Sequence, residues 1–382
     1  MLENRKMKKT YKITFLLYLS ISISFFIPIF GQSDIDDVHE TIDSLVQSTK
    51  EKNEIPSIVI GVIQNGKVTF HKGYGVLERG TARKVDNKTT YQIASLSKMF
   101  TGIIANSLIL EGKLKINESI AAYLPEDLSD KDRKKFESIT LKDILLHRSG
   151  IQRDSKSYKR KDGEPMESPY TKTDLIRDLE KVRTRKKVRY SYSNVGYAIL
   201  GNILENVSGL SYEELLQNYV TDQYGLSNTS IYLSTPVATP YRKDDRFTKT
   251  EPWNTGLLTP ASGIYSNVDD MTKLMTEQLK IYRMSNDATM LNSPLYLTKE
   301  KDFRGDGESY YGMGLWEFEF DRGVLFGHSG DMDGYASQYR FNKTTNTGVV
   351  LLTSSGGNWT NQLIAEVSKI IEEHAIKTGY NK

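Results

Sequence analysis

The spacing of hydrophobic and polar positions predicts strand-rich ends and a helical middle. Apolar residues at helical spacing predict an amphipathic helix over residues 34–50, and a β-rich run follows at 57–64. Asn65-Gly66 is the preferred two-residue hairpin turn, and it joins this run to a return strand over 67–71. The N-terminal part therefore predicts one helix and one β-hairpin.

The middle of the chain, from Ser95 to about residue 300, has a mainly helical pattern. Several helix starts carry a capping box, in which a hydroxyl residue precedes an acidic residue by three positions. The predicted pairs are Thr140 with Asp143, Ser211 with Glu214, and Ser266 with Asp269. Turn-rich connections separate these helices.

The C-terminal part returns to strands and ends in a helix. The predicted strands are Tyr310 to Phe320, Val324 to Phe326, Tyr335 to Phe341 and Gly348 to Thr353. The last helix has one apolar face, formed by Leu363, Ile364, Val367, Ile370 and Ile371.

Strands at both ends of the chain predict an α/β (α+β) fold. In it, one antiparallel sheet of N- and C-terminal strands is flanked by helices, and a mostly helical region is inserted. The sheet region would cover about 32–94 and 305–382, and the helical region about 95–304. Residues 32–382 would then form one domain after an N-terminal segment.

That N-terminal segment, residues 1–31, has a basic start and an apolar run from Ile13 to Phe30, and it ends at Gly31 before a polar stretch. This layout is typical of a secretory signal peptide, which predicts a periplasmic or secreted protein. The alternative is an uncleaved anchor, since eighteen residues can just span a bilayer. Only in that case would the protein be attached to a membrane.

Composition narrows the function classes. Residues 1–31 hold five basic residues and one acidic residue, so removing them takes the formal charge from +3 to −1, and no nucleic-acid partner is predicted. The chain has no cysteine, which excludes disulfides and a cysteine nucleophile. None of the five histidines pair at metal-ligand spacing, so we predict no metal and no other cofactor.

The candidate chemistry begins at Ser95 and Lys98, which form the only S-x-x-K match in the sequence. The match lies where the predicted strands end and a helix begins. Three residues is nearly one helical turn, so both side chains share a face. A buried lysine near a positive helix end prefers to be neutral and can accept the serine proton. The alternative reading is that Ser95 is simply a helix N-cap.

Two further segments change this balance. Tyr192-Ser193-Asn194 precedes an apolar helix, and His328-Ser329-Gly330 lies at the predicted end of a strand. With the first motif, and in this order, they resemble the active-site motifs of the serine β-lactamase and penicillin-binding-protein superfamily. The match is to its class C β-lactamase-like branch, with S-x-x-K, Y-x-N and H-x-G. Flanking segments that match are Tyr91 to Ser95, Leu145 to Ile151 and Pro260 to Ile264.

The resemblance covers roughly residues 40–375 and implies a role for each motif residue. Ser95 would be the nucleophile, and Lys98 and Tyr192 would share the proton transfers. The tyrosine needs a lowered pKa for this, and nearby Lys98 is expected to lower it. Asn194 would hold Lys98 and the substrate amide.

The third motif would bind substrate through His328, Gly330 and Asp331. The backbone N–H groups of Ser95 and Asp331 would form an oxyanion hole, worth about 3–4 kcal/mol per donor. His328 stands where penicillin-recognising enzymes usually carry lysine, so a substrate carboxylate should bind more weakly unless the imidazole is protonated. The Asp331 carboxylate is expected to repel acidic substrates or to favour an amine.

Two weaker features complete the sequence-based picture. His147 lies in a segment typical of the family, and we assign it a structural role. A basic run precedes Tyr192, and it is either a solvated face or a rim that attracts acidic cell-wall peptides. Its members are Lys181, Arg183, Arg185, Lys186, Lys187 and Arg189.

The function predicted from these residues is that of a serine hydrolase acting through a Ser95 acyl-enzyme. Its substrate would be an amide or ester: a D-residue peptide such as a peptidoglycan fragment, a β-lactam or a small ester. Peptidase or esterase-like activity ranks above a true class C-like β-lactamase. An alternative of another kind is a membrane-associated penicillin-binding or sensing protein with little turnover. The sequence leaves the oligomeric state open.

Overall fold

A computed structural model describes residues 32–157, 169–182, 190–234, 236–285, 288–303 and 309–379. The predicted signal segment and most of the basic run, residues 183–189, lie outside these ranges. No helix within them is long and apolar enough to cross a membrane.

The described residues form ten strands and twelve α-helices. The strands are β1 (Ser57–Gln64), β2 (Lys67–Gly75), β3 (Tyr91–Gln92), β4 (Tyr265–Ser266), β5 (Asp302–Phe303), β6 (Ser309–Tyr311), β7 (Trp316–Phe320), β8 (Gly323–Met332), β9 (Tyr335–Asn342) and β10 (Thr347–Thr353). The helices are α1 (Gln32–Lys52), α2 (Ser97–Leu110), α3 (Asp130–Arg133), α4 (Leu141–Leu145), α5 (Lys172–Lys181), α6 (Asn194–Ser208), α7 (Tyr212–Leu216), α8 (Asp222–Tyr224), α9 (Thr259–Ser262), α10 (Val268–Tyr282), α11 (Ala288–Leu291) and α12 (Trp359–Thr378).

The N-terminal helix and hairpin are confirmed as α1, β1 and β2. Asn65 and Gly66 have φ angles of 51° and 67°, and a two-residue hairpin turn of this kind needs positive φ at both positions. Strand β1 is buried along its whole length. It therefore lies inside the sheet, with β2 outside it.

Eight strands form one antiparallel sheet in the order β2-β1-β10-β9-β8-β7-β6-β5, which confirms the predicted fold class. The N- and C-terminal parts meet where β1 pairs with β10, from Ile58 opposite Thr353 to Ile63 opposite Gly348. Helices α1 and α12 cover one face of these strands with an apolar cluster. The other face packs against the helical region, which forms the larger core.

Helix caps in the middle of the chain confirm two of the three predicted capping boxes, at Thr140 and Ser211. The third prediction is wrong by one residue. Helix α10 is capped by Asn267, whose side chain accepts a hydrogen bond from the backbone N–H of Asp270. Ser266 instead belongs to β4, where it pairs with Tyr91.

Two predictions for the C-terminal strands also need correction. The single strand predicted over 310–320 is two strands, β6 and β7, because the chain turns at Gly314 (φ 102°). A Cβ added there would lie 2.6 Å from the carbonyl oxygen of Lys98, so this turn packs directly against the start of α2. Strand β8 does not end before the third motif but continues through it, since β9 pairs with it as far as Met332.

Candidate active site

Ser95 lies in a short 3₁₀ turn, Ala94–Leu96, that leads directly into α2. Ala94 has a φ of 50°, a left-handed conformation that is costly for a residue with a Cβ. No side chain caps α2, which rules out the reading of Ser95 as a simple N-cap. The half-buried Ser95 hydroxyl is thus left for other chemistry.

Two parts of the C-terminal sheet hold this turn in place. The Ser337 hydroxyl donates to the Ile93 carbonyl at 2.7 Å. A Cβ added to Gly330 would lie 2.4 Å from the same carbonyl oxygen and 2.9 Å from the Ala94 Cβ. Glycine is therefore required at this position for β8 to approach the Ser95 turn closely.

Lys98 is fully buried beside Ser95. Its Nζ lies 2.8 Å from Asn194 Oδ1, 2.8 Å from the Ala261 carbonyl oxygen and 3.4 Å from Ser95 Oγ. Burial, and then the positive charge of Arg153, hold the pKa of Lys98 well below its usual range. A neutral amine has two N–H groups for the two carbonyl oxygens, which leaves its lone pair for the serine hydroxyl.

Tyr192 lies over this amine, with the Lys98 Nζ 4.7 Å from its ring centroid. Burial raises the pKa of the Tyr192 phenol, while a hydrogen bond with the Ser95 side chain and the charge of Arg153 act in the opposite direction. The expectation that Lys98 lowers this pKa is therefore wrong. The reason is that burial is the largest influence on the pKa of this phenol, and it raises that pKa. The phenol keeps its proton.

Asn194 begins helix α6, which Ser193 caps by accepting a hydrogen bond from the backbone N–H of Gly196 at 2.8 Å. Its amide group bridges two residues: Oδ1 accepts from Lys98, and Nδ2 donates to Asp154 Oδ1 at 2.7 Å. The amide orientation is thereby fixed, and its oxygen faces the lysine.

His328 is buried in β8, and its Nδ1 lies 2.7 Å from the Ser329 carbonyl oxygen. A carbonyl only accepts, so the proton of the neutral ring sits on Nδ1. The Nε2 atom is buried and has no hydrogen-bond partner among the described residues. Burial is the main reason that the pKa of His328 is lowered to about 3, so the ring is neutral near pH 7.

The third motif runs along an open edge of the sheet, because among the described strands β7 pairs only with residues 323–327 of β8. His328 and Gly330 point to the same side, toward the Ser95 turn, and Asp331 alternates to the other side. The exposed Asp331 carboxylate lies 3.4 Å from Lys243 Nζ. The Asp331 carboxylate therefore points away from the Ser95 turn and is paired with Lys243. Both facts weaken the expected repulsion of acidic substrates.

Arg153 and Asp154 are site residues that the sequence reasoning missed. The Arg153 guanidinium carbon lies 4.9 Å from the Tyr192 ring centroid, and both residues influence the Lys98 pKa, in opposite directions. The Arg153 carbonyl also accepts from the backbone N–H of Asn194 at 2.7 Å. Their one available signal was their position directly after the family-like segment that ends at Ile151.

Within the described residues, no three His, Asp or Glu side chains come together as a metal site. Five motif residues from three separate parts of the chain do come together, around the Lys98 amine and the Ser95 turn. They are Ser95, Lys98, Tyr192, Asn194 and His328.

Comparison with known proteins places this arrangement in a family. The β-lactamase family model matches residues 42–367. The chain belongs to the β-lactamase family. This is a family of serine hydrolases that act on amide and ester bonds, so the superfamily predicted from the motifs is confirmed.

Individual relatives are distant. Protein flp of Staphylococcus aureus (strain NCTC 8325 / PS 47) is 26% identical over 353 residues, which cover 89% of this chain and 68% of that protein. Beta-lactamase-like protein 4 of Dictyostelium discoideum is 24% identical over 421 residues, which cover 98% of this chain and 72% of that protein.

Solved structures show the same fold. An octameric penicillin-binding protein homologue from Pyrococcus abyssi matches with a TM-score of 0.72 and 23% identity, over 90% of this chain and 78% of that one. A class C β-lactamase matches with a TM-score of 0.73 and 19% identity, over 88% of this chain and 97% of that one. At these identities the likeness concerns the fold.

Proposed function

We propose that this β-lactamase family member is an active serine hydrolase with Ser95 as its nucleophile and Lys98 as its general base. The observation that carries the proposal is the Lys98 amine, which is buried, bonded to two carbonyl oxygens and 3.4 Å from Ser95 Oγ. A lone pair directed at a hydroxyl is the activation that a serine nucleophile needs.

The proposed reaction has two balanced halves. Lys98 takes the Ser95 proton as Oγ bonds to the substrate carbonyl carbon, and the backbone N–H groups of Ser95 and Asp331 stabilise the oxyanion. Tyr192, whose phenol keeps its proton, then gives that proton to the leaving group as its bond breaks, since an alkoxide or an amide anion is a stronger base than a phenolate. Lys98 returns a proton to Tyr192. In the second half, Lys98 takes a proton from water as the water oxygen bonds to the acyl carbon. Tyr192 gives a proton to Ser95 Oγ as the ester bond breaks and the acid leaves, and Lys98 again returns a proton to Tyr192.

The substrate class is narrowed by His328. Its Nδ1 proton is committed to the Ser329 carbonyl, and its Nε2 can only accept a hydrogen bond. A substrate carboxylate would find no donor on this ring, whereas an N–H or O–H group that reached the buried Nε2 would find an acceptor. We therefore place esters and amides that carry such a donor, including D-amino-acid amides, ahead of β-lactams and peptides with a free C-terminal carboxylate.

The test is a hydrolysis panel with purified protein that spans p-nitrophenyl esters, D-amino-acid amides, D-Ala-D-Ala peptides and a chromogenic cephalosporin. We expect turnover of esters and amides above that of the cephalosporin, and loss of turnover in Ser95→Ala. Survival of activity in that variant would refute the nucleophile. A stable adduct with a fluorescent penicillin, without turnover, would instead favour the penicillin-binding or sensing role.

We also propose that the protein acts outside the cytoplasm, in the periplasm or secreted. The support is the basic and apolar pattern of residues 1–31 alone. N-terminal sequencing of the protein recovered from an expressing cell should begin at Gln32. A protein that still begins at Met1 and sediments with membranes would indicate an anchor.

A further inference from the structure

His147 is a buried residue that the proposed reaction does not use. It follows α4, it is 1% exposed, and it has a φ of 55°. A left-handed conformation in a bulky residue costs energy and persists only where the surroundings enforce it. The position therefore calls for a reason beyond filling space.

The hydrogen bonds of His147 bracket the catalytic tyrosine. Its carbonyl oxygen accepts from the backbone N–H of Ser191 at 2.7 Å, and its Nδ1 accepts from the backbone N–H of Ser193 at 3.1 Å. Tyr192 is the residue between these two donors. Its ring lies against the imidazole, with centroids 4.3 Å apart and planes tilted by 37°.

The hydrogen bond from Ser193 also fixes which imidazole nitrogen carries the proton. A backbone N–H only donates, so Nδ1 bears no proton and the neutral ring carries it on Nε2. Burial holds the pKa of His147 well below its usual value, so the acceptor survives at neutral pH. The Nε2 atom is buried without a hydrogen-bond partner among the described residues, within a cluster of tyrosine rings that includes Tyr197 and Tyr311.

We propose that His147 is the positioning residue of Tyr192: it clamps the backbone on both sides of the tyrosine and supports its ring over Lys98. It touches neither substrate nor Ser95 and acts through Tyr192 alone. This inference rests on the proposed function, since it gives His147 importance only if Tyr192 moves protons. A displacement of about 1 Å in a catalytic group costs on the order of 10²-fold in rate.

Two carboxamide variants separate the clamp from bulk packing. In His147→Asn the side-chain oxygen takes roughly the place of Nδ1, and asparagine tolerates positive φ. In His147→Gln the oxygen is one methylene further out and cannot reach Ser193 in the same way. We expect H147N to keep kcat within about threefold, and H147Q to lose about 10²-fold in kcat with KM nearly unchanged.

The deciding measurement is a double-mutant cycle with Tyr192→Phe. Because His147 acts through Tyr192, H147Q should cost little once the phenol is gone. Additive losses, a fall in KM alone, or equal damage in H147N and H147Q would each overturn the proposal. If Y192F itself leaves kcat unchanged while Ser95→Ala abolishes it, the assigned role of Tyr192 fails and the clamp fails with it.

A measurement that does not depend on catalysis tests the clamp even if no substrate is found or the Gln variant does not fold. Imidazole ¹⁵N spectra of the wild-type protein contain signals that H147N lacks, and these signals should be those of a ring with a protonated Nε2 and an unprotonated Nδ1. A proton on Nδ1 of His147 would overturn the clamp, because the Ser193 N–H could not then donate to it.

Discussion

The Nζ atom of Lys98 and the Oδ1 atom of Asn194 lie 2.8 Å apart, and this contact joins two motifs 96 residues apart in the chain. The amide oxygen holds one N–H group of the lysine, and the Ala261 carbonyl holds another. These two contacts leave the lone pair of the neutral amine directed toward Ser95.

Replacing Asn194 should therefore misdirect the base. Asn194→Ala removes one acceptor, and we expect kcat to fall about 10²-fold, since a misoriented base is a misplaced catalytic group. Steady-state hydrolysis of the best ester found in the panel measures this. The matched control is Asn202→Ala, on the same helix and away from Lys98, which should keep kcat. Equal losses in both would mean that α6 itself is disturbed.

Arg153 and Asp154 should shift the pH profile in opposite directions. The charge of Arg153 lowers the pKa of Lys98 and that of Asp154 raises it. Activity needs the neutral amine, so it rises as pH passes upward through this pKa. Arg153→Gln should move the acidic limb of kcat to higher pH, and Asp154→Asn should move it to lower pH.

The Asp154→Asn variant is designed to change charge with little change in hydrogen bonding. Asn at 154 can still accept the hydrogen bond from Asn194, so the change removes charge more than structure. Lys172→Gln, an exposed cation paired with Asp127, serves as the control and should leave the limb in place. Shifts of the same sign in R153Q and D154N would show that another group controls the limb.

His328→Lys should change substrate preference. An ammonium supplies the charged donor that the neutral imidazole lacks, and a charge-assisted hydrogen bond contributes about 1.5–3 kcal/mol. We expect kcat/KM for a carboxylate-bearing cephalosporin to rise about tenfold or more relative to that for a neutral ester. His328→Asn, which removes the ring without adding charge, should leave this ratio without such a gain. A uniform change for both substrates would contradict the proposed role of His328.

Gly330→Ala should damage both stability and activity. The new Cβ would lie 2.3 Å from Ser337 Oγ and 2.4 Å from the Ile93 carbonyl oxygen, so β8 and the Ser95 turn must separate. Overpacking of this kind costs about 1–3 kcal/mol. Thermal unfolding measures the stability, and kcat reports the displaced turn. Gly80→Ala has positive φ but open space around its Cβ, so it should lower stability without lowering kcat.

Local signals accounted for the parts of the fold that were predicted well. Asn65-Gly66 specifies its turn by its own backbone preferences. The cap of α10 shows the limit of such signals: Ser266 and Asn267 each precede an aspartate by three residues, so the sequence allows either start. The pairing of Ser266 with Tyr91, 175 residues earlier in the chain, decides between them.

The candidate site divides in the same way. The motif residues could be found because their spacing resembles that of a known family. Arg153, by contrast, influences Lys98 through space across a loop, and its one signal in the sequence is its position soon after the segment that ends at Ile151. The pKa of Tyr192 was misjudged because a sequence shows which charges are present but not how deeply a ring is enclosed.

The pairing of β1 with β10 has a consequence for when the candidate site can assemble. The nucleophile lies in the first third of the chain, yet the strand that holds its turn and the strand that completes the sheet arrive near the end. Contacts over such long sequence separations form slowly, because loop closure must precede them. A growing chain thus carries Ser95 with no assembled site around it, and the proposed hydrolytic activity can begin only once nearly the whole polypeptide has been made.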